Sequence, residues 1–455
     1  MVFRLELPKD VSEIISVLEN AGFEAYAVGG CVRDALLQRI PNDWDITTSA
    51  MPADVKRLFR RTVDTGIEHG TVTVMIGSTG YEVTTYRLDG EYEDCRHPKE
   101  VTFTKSLTED LRRRDFTINA MAYNAKSGVI DLFGGLEDLH AGRIRCVGNP
   151  EERFTEDALR VFRAVRFAAQ LGFSIDPETR AGMTKLSGNL ARVSAERIRE
   201  ELSKLLQSEH PEELITASEA GLTAFWLPEW DEMLATEQEN KHHIYDVGRH
   251  TIAALRALHN TECYRNGDGH SRTLLNYAVL LHDSAKPSCK RYDEKGKAHF
   301  HGHPLAGQEL AGTILRRLKF DNDTIAVAER LVGNHDNRFQ IDRDNLEKSV
   351  RRIANRIGTE NVEYLFAVQE ADIYAQAPKY IPDNLQLLEK MREAFRVILE
   401  KNQCVSLNTL AVKGSDLIAL GYKPGPQFGE ILSRLLEDVL NCPEHNTKEY
   451  LLSLL

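Results

Sequence analysis

Two aspartates separated by one residue are the first candidates for chemistry in this chain of 455 residues. Asp43 and Asp45 lie in NDWDITT, which we predict to be a strand, so that both carboxylates point to one side. Mg²⁺ binds one or two carboxylates together with substrate phosphates, and two such ions can activate a hydroxyl and stabilise departing pyrophosphate. An isolated Asp-x-Asp is more often a pair of solvated acids. Glu82, in the predicted strand YEVTTYR, is either a third carboxylate of this site or simply exposed.

A glycine pair precedes these aspartates. The apolar strand AYAV ends at Gly29-Gly30 and the helix CVRDALLQ follows, so free backbone N–H groups and a positive helix end would face an anion such as a polyphosphate. Arg33 would add a full charge. A Gly-Gly between strand and helix is usually only a tight turn, and it is the Asp-x-Asp after it that favours a phosphate site.

A third candidate lies in TEDALRVFRAVRF, which we predict to be one helix. Glu156, Asp157, Arg160 and Arg163 then share a face, and the ordinary explanation is a set of surface ion pairs. An aspartate and an arginine on one face can also imitate a Watson-Crick edge, because the carboxylate accepts and the guanidinium donates. Cytosine and adenine both offer an amine and a ring nitrogen to such a pair, whereas uracil and guanine present opposing groups.

The elements that must position these residues change character along the chain. Runs rich in Val, Ile, Thr and Tyr predict a sheet with a few helices up to about residue 146, and long amphipathic stretches predict helices from there to the end. The predicted fold class is therefore α+β. We divide the chain into an α/β catalytic domain (1–146), a helical segment with the base-selecting motif (147–230), a helical domain rich in histidine (231–385) and a helical tail (386–455).

Three segments together resemble the head domain of class II tRNA nucleotidyltransferases and bacterial poly(A) polymerases. They are AVGGCVRDALLQRIPNDWDITTSA, LTEDLRRRDFTINAMAYN and DLFGGLEDLHAGRIRCVG. The resemblance implies that Asp43 and Asp45 hold the metal ions. The positions that it implies for nucleotide binding are the cradle Gly29, Gly30 and Arg33, then Arg114 near the phosphates, then Asp115 and Asn119 near the ribose.

The resemblance continues beyond the head. The segment with Asp157, Arg160 and Arg163 is similar to the family's protein-template motif, which implies that Asp157 and Arg160 select the incoming base. RLDGEYEDCRHPKEV is similar to the family's flexible loop, whose Asp94 and Arg96 are associated with the switch from C to A addition. The last 70 or so residues resemble the tail that holds the tRNA body, although a plain helical scaffold fits their composition almost equally well.

A second metal site is implied by another resemblance. KHHIYDVGRHT, LLNYAVLLHDSAKP, HFHGHPLAGQELA, LVGNHD and QEADIYAQ resemble the HD phosphohydrolase pattern. The implied metal ligands are His250, His282, Asp283 and Asp372, and the positions implied for a second metal or phosphate are His303 and His335. Imidazole and carboxylate ligands suit Mn²⁺, Fe²⁺, Ni²⁺ or Mg²⁺. Ser284-Ala285 departs from the Ile-Gly common in that family.

The overall composition restricts how the chain could bind RNA and where it could be located. The formal net charge is -12, so contacts with RNA must rest on local basic patches rather than on the overall field. The seven cysteines have no paired spacing typical of zinc or a dithiol, and no stretch approaches the ~20 apolar residues that cross a bilayer. We expect a cytoplasmic protein without a membrane partner.

Our first hypothesis is template-independent addition of CCA to the 3′ end of tRNA from CTP and ATP, with release of pyrophosphate. The HD site adds a possible phosphohydrolase activity. Two alternatives remain: an A-adding or poly(A) polymerase with the same head, and an HD phosphohydrolase whose head only binds RNA.

Overall fold

A computed structural model describes residues 4–89, 101–239, 241–342 and 345–455. The chain divides into two compact units, Met1–Trp226 and Leu227–Leu455. This division falls close to the boundary predicted after residue 230, and the finer division into four domains stays a prediction.

The first unit contains a mixed sheet. Its strands are β1 (Ala25–Val28), β2 (Ile46–Thr48), β3 (Thr62–Gly66), β4 (Thr71–Ile76), β5 (Thr79–Thr85), β8 (Met121–Asn124) and β9 (Gly128–Asp131), while β6 (Arg87–Asp89) and β7 (Val101–Phe103) form a separate hairpin ladder. Their order across the sheet is β3-β4-β5-β2-β1-β8-β9, and β2 with β5 is its parallel pair. The glycine turn follows β1 and the aspartates precede β2, so the two features lie at the same end of two neighbouring strands.

Short helices accompany this sheet. They are α1 (Lys9–Asn20), α2 (Gly30–Leu36), α3 (Pro52–Leu58), α4 (Leu107–Arg112) and α5 (Gly135–Ala141). Four apolar side chains of α1 recur at helical spacing and are buried, namely Val11, Ile14, Ile15 and Leu18. The sequence pattern there identified a real core face.

Helices follow in the rest of the first unit, with one small parallel ladder between β10 (Arg143–Ile144) and β11 (Ser174–Ile175). The helices are α6 (Pro150–Glu156), α7 (Leu159–Leu171), α8 (Pro177–Leu186), α9 (Ala195–Leu206) and α10 (Glu213–Glu219). Helix α7 packs against α9. A buried ion pair joins them, with Nε of Arg166 2.7 Å from Oε2 of Glu201.

The prediction of one continuous helix through TEDALRVFRAVRF is wrong. Helix α6 ends at Glu156, Asp157 has extended backbone angles (φ -133°, ψ 107°), and α7 begins at Leu159. The physical reason is local: Oδ1 of Asp157 accepts a hydrogen bond from the backbone N–H of Leu159 at 3.0 Å, which competes with continued helix.

The second unit is helical apart from the two-residue strands β12 (Arg291–Tyr292) and β13 (Ala298–His299). Its helices are α11 (Pro228–Leu234), α12 (Val247–Leu258), α13 (Glu262–Asn266), α14 (Gly269–Leu281), α15 (Lys286–Cys289), α16 (His303–Arg317), α17 (Asn322–Asn334), α18 (Leu346–Ile357), α19 (Val362–Tyr374), α20 (Ile381–Glu400), α21 (Gly414–Ala419), α22 (Gln427–Asn441) and α23 (Lys448–Ser453). The predicted α+β class is confirmed. Among the described residues, no helix is both long and apolar enough to span a membrane.

Candidate active site

Asp43, Asp45 and Glu82, which we call the carboxylate cluster, lie near one another at one end of the parallel strand pair, close enough for their charges to interact. The two aspartates precede β2 rather than lying on it, which corrects the prediction that they are strand residues. Ile46 is paired with Val83, so the register places Asp45 beside Glu82. Burial and the charge of Asp43 raise the pKa of Asp45 to about 6, with Arg114 opposing and Glu82 adding to the rise. Three carboxylates that repel one another are suited to a divalent cation.

The glycine turn lies beside Arg114. Gly29 has a φ of 85°, and a Cβ added there would lie 2.9 Å from Nη1 of Arg114, so a larger residue would be both strained and crowded. Among the described residues, the buried Nε of Arg114 has no hydrogen-bond partner. Its Nη2 is 3.7 Å from Oδ2 of Asp110. An anion near Gly29 would therefore find an arginine with an unused donor.

Arg33 is held differently from the prediction that it adds a free charge to the cradle. Its side chain is 9% exposed, and Nε and Nη2 donate to the carboxylate of Asp34 at 2.8 and 3.0 Å. Nη1 donates to Oδ1 of Asn119 at 2.7 Å. Arg33 therefore connects α2 to Asn119 beside the turn, and its Nη2 is 3.7 Å from the position that a Cβ on Gly30 would occupy.

Asn119 and Asp115 continue this buried chain of hydrogen bonds. Nδ2 of Asn119 donates to Oδ1 of Asp115 at 3.2 Å, and the backbone N–H of Phe116 donates to the same oxygen at 2.8 Å. Oδ2 of Asp115 accepts from both Nε and Nη2 of Arg163, at 2.9 and 2.7 Å. The positions predicted near the phosphate and the ribose are thus linked directly to helix α7.

An aromatic ring lies within this chain. The guanidinium carbons of Arg33, Arg163 and Arg166 lie 5.0, 5.3 and 3.5 Å from the ring centroid of Phe167, which is buried. A cation near an aromatic face is attracted by the ring quadrupole. Phe167 was not singled out from the sequence, because one apolar residue on an amphipathic helix gives no signal beyond core packing.

The two predicted base selectors both have partners. Oδ2 of Asp157 is 2.9 Å from Nη2 of Arg197, on α9. Nη1 of Arg160 is 2.5 Å from Oε2 of Glu156, and Nη2 donates to the backbone carbonyl of Arg113 at 2.8 Å. Asp157 and Arg160 are only partly buried, with side chains 19% and 11% exposed. Arg197 was not singled out from the sequence, because it lies 40 residues from Asp157 and no local pattern connects the two.

Asp94 and Arg96, the predicted loop residues, lie outside the described residues.

The residues of the second predicted metal site converge inside the second unit. The HD cluster consists of His250, His282, Asp283, His303, His335 and Asp372, all buried. Their ligand atoms form two compact sets: His250, His282 and Asp372 in one, and Asp283, His303 and His335 in the other. His250 and Asp372 are close, with Nε2 2.9 Å from Oδ1.

Two cations accompany the carboxylates of the HD cluster. Nζ of Lys286 is 2.7 Å from Oδ2 of Asp283, and Arg338 pairs with Oδ2 of Asp372. Burial raises the pKa of Asp283, but His282 and Lys286 beside it outweigh burial and hold that pKa well below its usual range. Arg338 and His250 do the same for the pKa of Asp372. Both carboxylates are ionised and able to bind metal.

A cavity of about 570 Å³ opens onto one side of this cluster. Asp283, His303, His335 and Asp372 are among its lining residues. Cationic side chains also line it, namely Lys286, Lys297, Arg338 and Arg356. The size lies within the range of small-ligand sites, and the lining suits an anionic ligand.

Families of known proteins match three parts of the chain. The family described as "Poly A polymerase head domain" matches residues 25–145, "Probable RNA and SrmB- binding site of polymerase A" matches 172–234, and "tRNA nucleotidyltransferase domain 2 putative" matches 305–455. The first of these matches contains both the carboxylate cluster and the glycine turn.

Individual relatives extend this similarity. The CCA-adding enzyme of Limosilactobacillus reuteri is 36% identical over 443 residues, which is 96% of this chain and 94% of the relative. The CCA-adding enzyme of Lactiplantibacillus plantarum is 57% identical over 198 residues. This match covers 44% of this chain and 49% of the relative, so it spans about half the length of that relative.

Solved structures agree in fold. The Bacillus stearothermophilus CCA-adding enzyme in complex with CTP superposes with a TM-score of 0.70 and 31% identity, covering 97% of this chain and 96% of that one. The Thermotoga maritima CCA-adding enzyme complexed with tRNA has a TM-score of 0.61 at 19% identity, covering 100% and 98%, which is a likeness of fold.

The raised pKa of Asp45 predicts a pH-dependent stability. In metal-free protein the folded pKa is about 6 and the unfolded value about 3.9, so folding binds protons between these values and stability falls as pH rises through them. Asp45→Asn removes this cost. We expect the variant to unfold at a higher temperature than the parent above about pH 6 in EDTA, and the gain to vanish toward about pH 4.

Thermal unfolding across this pH range, with and without Mg²⁺, measures the effect. Mg²⁺ should stabilise the parent more than it stabilises Asp45→Asn. Glu137→Gln, at an exposed acid elsewhere in the first unit, is the matched control and should match the parent both in its pH dependence and in its response to Mg²⁺. A variant that is less stable than the parent at about pH 8 in EDTA would contradict the electrostatic account of the cluster.

Proposed function

The chain belongs to the family of CCA-adding enzymes, and from this premise we propose that it adds CCA to the 3′ end of tRNA, using CTP and ATP and releasing pyrophosphate. The observation that carries the proposal is the carboxylate cluster beside Gly29 and Arg114. It brings together metal-binding carboxylates, close backbone access and an arginine with an unused donor. These are the requirements of nucleotidyl transfer.

Asp43 and Asp45 are the proposed catalytic residues, with Glu82 as an additional carboxylate. Mg²⁺ held by these residues would favour the deprotonated 3′ hydroxyl and neutralise the departing pyrophosphate. Arg114 binds the triphosphate, and Gly29 and Gly30 allow it close to the backbone. Arg33 lies beside the turn and is held in place by Asn119.

The nearby polar residues orient the nucleotide. Asp115 and Asn119 lie between the turn and α7, where the resemblance implies the ribose. Each of these side chains is fixed by a hydrogen bond to the other, so their remaining donors and acceptors are held in place. Orientation of the sugar relative to the carboxylate cluster follows from this rigidity.

Asp157 and Arg160 are the proposed base selectors, and Arg163 supports them through Asp115. Asp157 accepts from the exocyclic amine of cytosine or adenine, and Arg160 donates to the ring nitrogen. Arg197 holds Asp157, and Glu156 holds Arg160, so neither selector must be ordered when the nucleotide binds. Asp94 and Arg96 are proposed to act in the change from C to A.

The remaining assignments concern the whole chain. We assign residues 1–146 to a catalytic head, 147–230 to a neck, 231–385 to an HD domain and 386–455 to a tRNA-binding tail. The HD cluster is proposed to hold Mn²⁺, Ni²⁺, Fe²⁺ or Mg²⁺ and to support hydrolysis of phosphoesters, because ionised carboxylates and imidazoles line a cationic cavity. Because tRNA, CTP and ATP are the proposed substrates, we propose a cytoplasmic location.

The function is tested with tRNA that ends at the discriminator base, each labelled nucleoside triphosphate in turn, and sequencing of the products. The parent should add CCA, and Asp43→Ala combined with Asp45→Ala should reduce incorporation to background, because no carboxylate pair remains to hold the ions. Asp54→Asn and Asp64→Asn, at acids of the same unit outside the cluster, serve as controls and should retain activity.

Incorporation that survives in the double variant would contradict the proposal. Products of the parent that end in A alone or lengthen as poly(A) would replace CCA addition by the related polymerase function. Complete absence of incorporation by the parent, together with hydrolysis of phosphoesters that His282→Ala abolishes, would instead identify an HD phosphohydrolase with an RNA-binding head.

Base selection generates a separate prediction. Asp157→Asn replaces a pure acceptor by an amide that both donates and accepts, so the carbonyl oxygen of uracil or guanine is no longer opposed at this position, while Arg160 still opposes the ring N–H. One base contact is worth roughly 1–3 kcal/mol, so preference for CTP over UTP should fall by about 5- to 150-fold. Competition between CTP and UTP in single-turnover reactions measures this ratio.

The matched control is Glu152→Gln, on the exposed face of α6, which should keep the parental ratio. Thermal unfolding must show that Asp157→Asn remains folded after losing its ion pair with Arg197. An unchanged CTP preference in the folded variant would remove Asp157 from base selection.

A further inference from the structure

Asp110 is a buried acid that contacts residues on both sides of the proposed triphosphate site. It lies in α4, and its side chain is 0% exposed. Its carboxylate accepts hydrogen bonds from Oγ1 of Thr47 at 3.0 Å and from Nε and Nη2 of Arg113 at 3.0 and 2.8 Å. Burial raises the pKa of Asp110, but Arg113 and Arg114 outweigh burial and keep that pKa below its usual value. The carboxylate is therefore ionised, and its contacts offset the cost of burying the charge.

The two oxygens of Asp110 have different partners. Oδ1 accepts both hydrogen bonds from Arg113. Oδ2 accepts from Thr47 and is 3.7 Å from Nη2 of Arg114. Thr47 is the second residue of β2, and Asp45 comes two residues before it. Oδ2 therefore connects the strand that follows the proposed metal-binding aspartates to the arginine that is proposed to bind the triphosphate.

The guanidinium group of Arg114 is held from one side. Its Nη2 faces Asp110, whereas its Nη1 would lie 2.9 Å from a Cβ at Gly29. Among the described residues, its buried Nε has no hydrogen-bond partner. Arg113 precedes it in the chain and carries the same charge, so the two guanidinium groups repel each other. The ionised Asp110 offsets this repulsion and keeps Nη1 beside the glycine turn.

The backbone at the end of α4 has other supports. The carbonyl of Arg112 accepts from Nη1 of Arg153 at 3.1 Å, and the carbonyl of Arg113 accepts from Nη2 of Arg160 at 2.8 Å. These two arginines belong to α6 and α7. Asp110 is therefore not the sole support of this backbone, and what it adds is the orientation of side chains.

We propose that Asp110 is a positioning residue for the triphosphate, because it fixes the guanidinium group of Arg114 relative to β2 and so relative to the carboxylate cluster. This inference rests on the proposed nucleotidyl transfer, and it adds the residue that sets where the phosphates lie with respect to the metal ions. Asp110 acts through Arg114 and is not a catalytic residue. Attack on the α-phosphate requires the phosphates and the ions to be aligned, so a displaced Arg114 lowers the rate as well as the affinity.

Charge and orientation predict opposite effects for the loss of this carboxylate. If Asp110 only offset the charge of Arg113 and Arg114, its neutralisation would leave more positive charge beside the glycine turn, and anions would bind more tightly there. If Asp110 positions Arg114, the same change weakens anion binding, because the arginine is no longer held beside the turn. The direction of the change in affinity therefore separates the two roles.

The first test uses pyrophosphate with Mg²⁺ as the probe, titrated calorimetrically into the full chain. Asp110→Asn keeps the shape of the side chain but removes its charge and one of its two acceptor oxygens. We expect the dissociation constant to rise about 10-fold, because interactions with charged groups are lost. Binding that persists in Arg114→Ala comes from other sites and is subtracted.

The second test measures the rate of the reaction. Single-turnover incorporation of CTP by Asp110→Asn should be roughly 100-fold slower than in the parent, even at saturating CTP. In an Arg114→Ala background the same substitution should cause little further loss, since the residue through which Asp110 acts is absent. A merely structural role would instead lower the rate by the same factor in both backgrounds.

Glu19→Gln is the matched control. Glu19 is also largely buried, with 17% of its side chain exposed, and its Oε2 is 2.7 Å from Nζ of Lys126. Its Oε1 accepts from Nδ2 of Asn124 at 2.6 Å. Asn124 also donates to the carbonyl of Ala25, at the opposite end of β1 from the glycine turn. The control should keep the parental pyrophosphate affinity and the parental rate.

Thr47→Val is a second and milder variant. It removes the hydroxyl that donates to Asp110, while the shape of the side chain and its preference for a strand are kept. We expect a smaller fall in the rate than in Asp110→Asn, and again little further loss in the Arg114→Ala background. If thermal unfolding shows that Asp110→Asn is not folded, this variant decides the question.

The outcomes separate this inference from the function on which it rests. Unchanged or tighter pyrophosphate binding in folded Asp110→Asn would overturn the positioning role. An equal fall in rate with and without Arg114, or an unchanged rate in Thr47→Val when Asp110→Asn is not folded, would overturn it as well. A parent that incorporates no nucleotide would contradict the proposed function, and the pyrophosphate titration would then still decide the role of Asp110.

Discussion

A single buried carboxylate, that of Asp115, connects the parts of the first unit that must act together. One oxygen accepts from Asn119 and from the backbone of Phe116, and the other accepts a two-pronged contact from Arg163. Burial raises the pKa of Asp115, but Arg163 and Arg160 outweigh it and keep that pKa well below its usual range. The ionised carboxylate fixes Asn119, which fixes Arg33 beside the glycine turn. The same carboxylate holds helix α7, which carries Arg160, a proposed base selector.

This arrangement explains how a chain with a net charge of -12 can bind a triphosphate. Some arginines near the turn are paired with carboxylates and support the local structure, and one is available to bind an anion. Arg33 and Arg163 are neutralised by Asp34 and Asp115, whereas Arg114 keeps an unused donor. Local charge, rather than the overall field, then determines where an anion binds. The two aspartates of the carboxylate cluster come just before the adjacent strand β2, so metal ions and phosphate would meet at one place.

The sequence was informative wherever chemistry follows from residue type and short spacing. The glycine turn, the Asp-x-Asp pair and the change from strands to helices are local patterns, and the α+β class followed from them. The continuous helix predicted across Asp157 was wrong, because hydrophobic periodicity carries no information about a side chain that accepts a hydrogen bond from the backbone N–H two residues later. The burial of Arg33 and the contact of Arg197 with Asp157 depend on residues distant in sequence, Asn119 and α9, so no local pattern could reveal them. In the HD cluster the candidate ligand types were evident from the sequence, but their division into two compact sets required the distances.

Asp115 is expected to hold together the proposed phosphate site and the helix that carries Arg160. The most direct test is single-turnover incorporation of CTP and of UTP by Asp115→Asn, with Glu201→Gln as the control, because Glu201 binds Arg166 on the same helix without contacting the glycine turn through Asn119. We predict that Asp115→Asn lowers the rate with CTP and, at the same time, the preference for CTP over UTP, whereas Glu201→Gln keeps the parental preference. A folded Asp115→Asn variant that loses rate but retains the full CTP preference would contradict the claim.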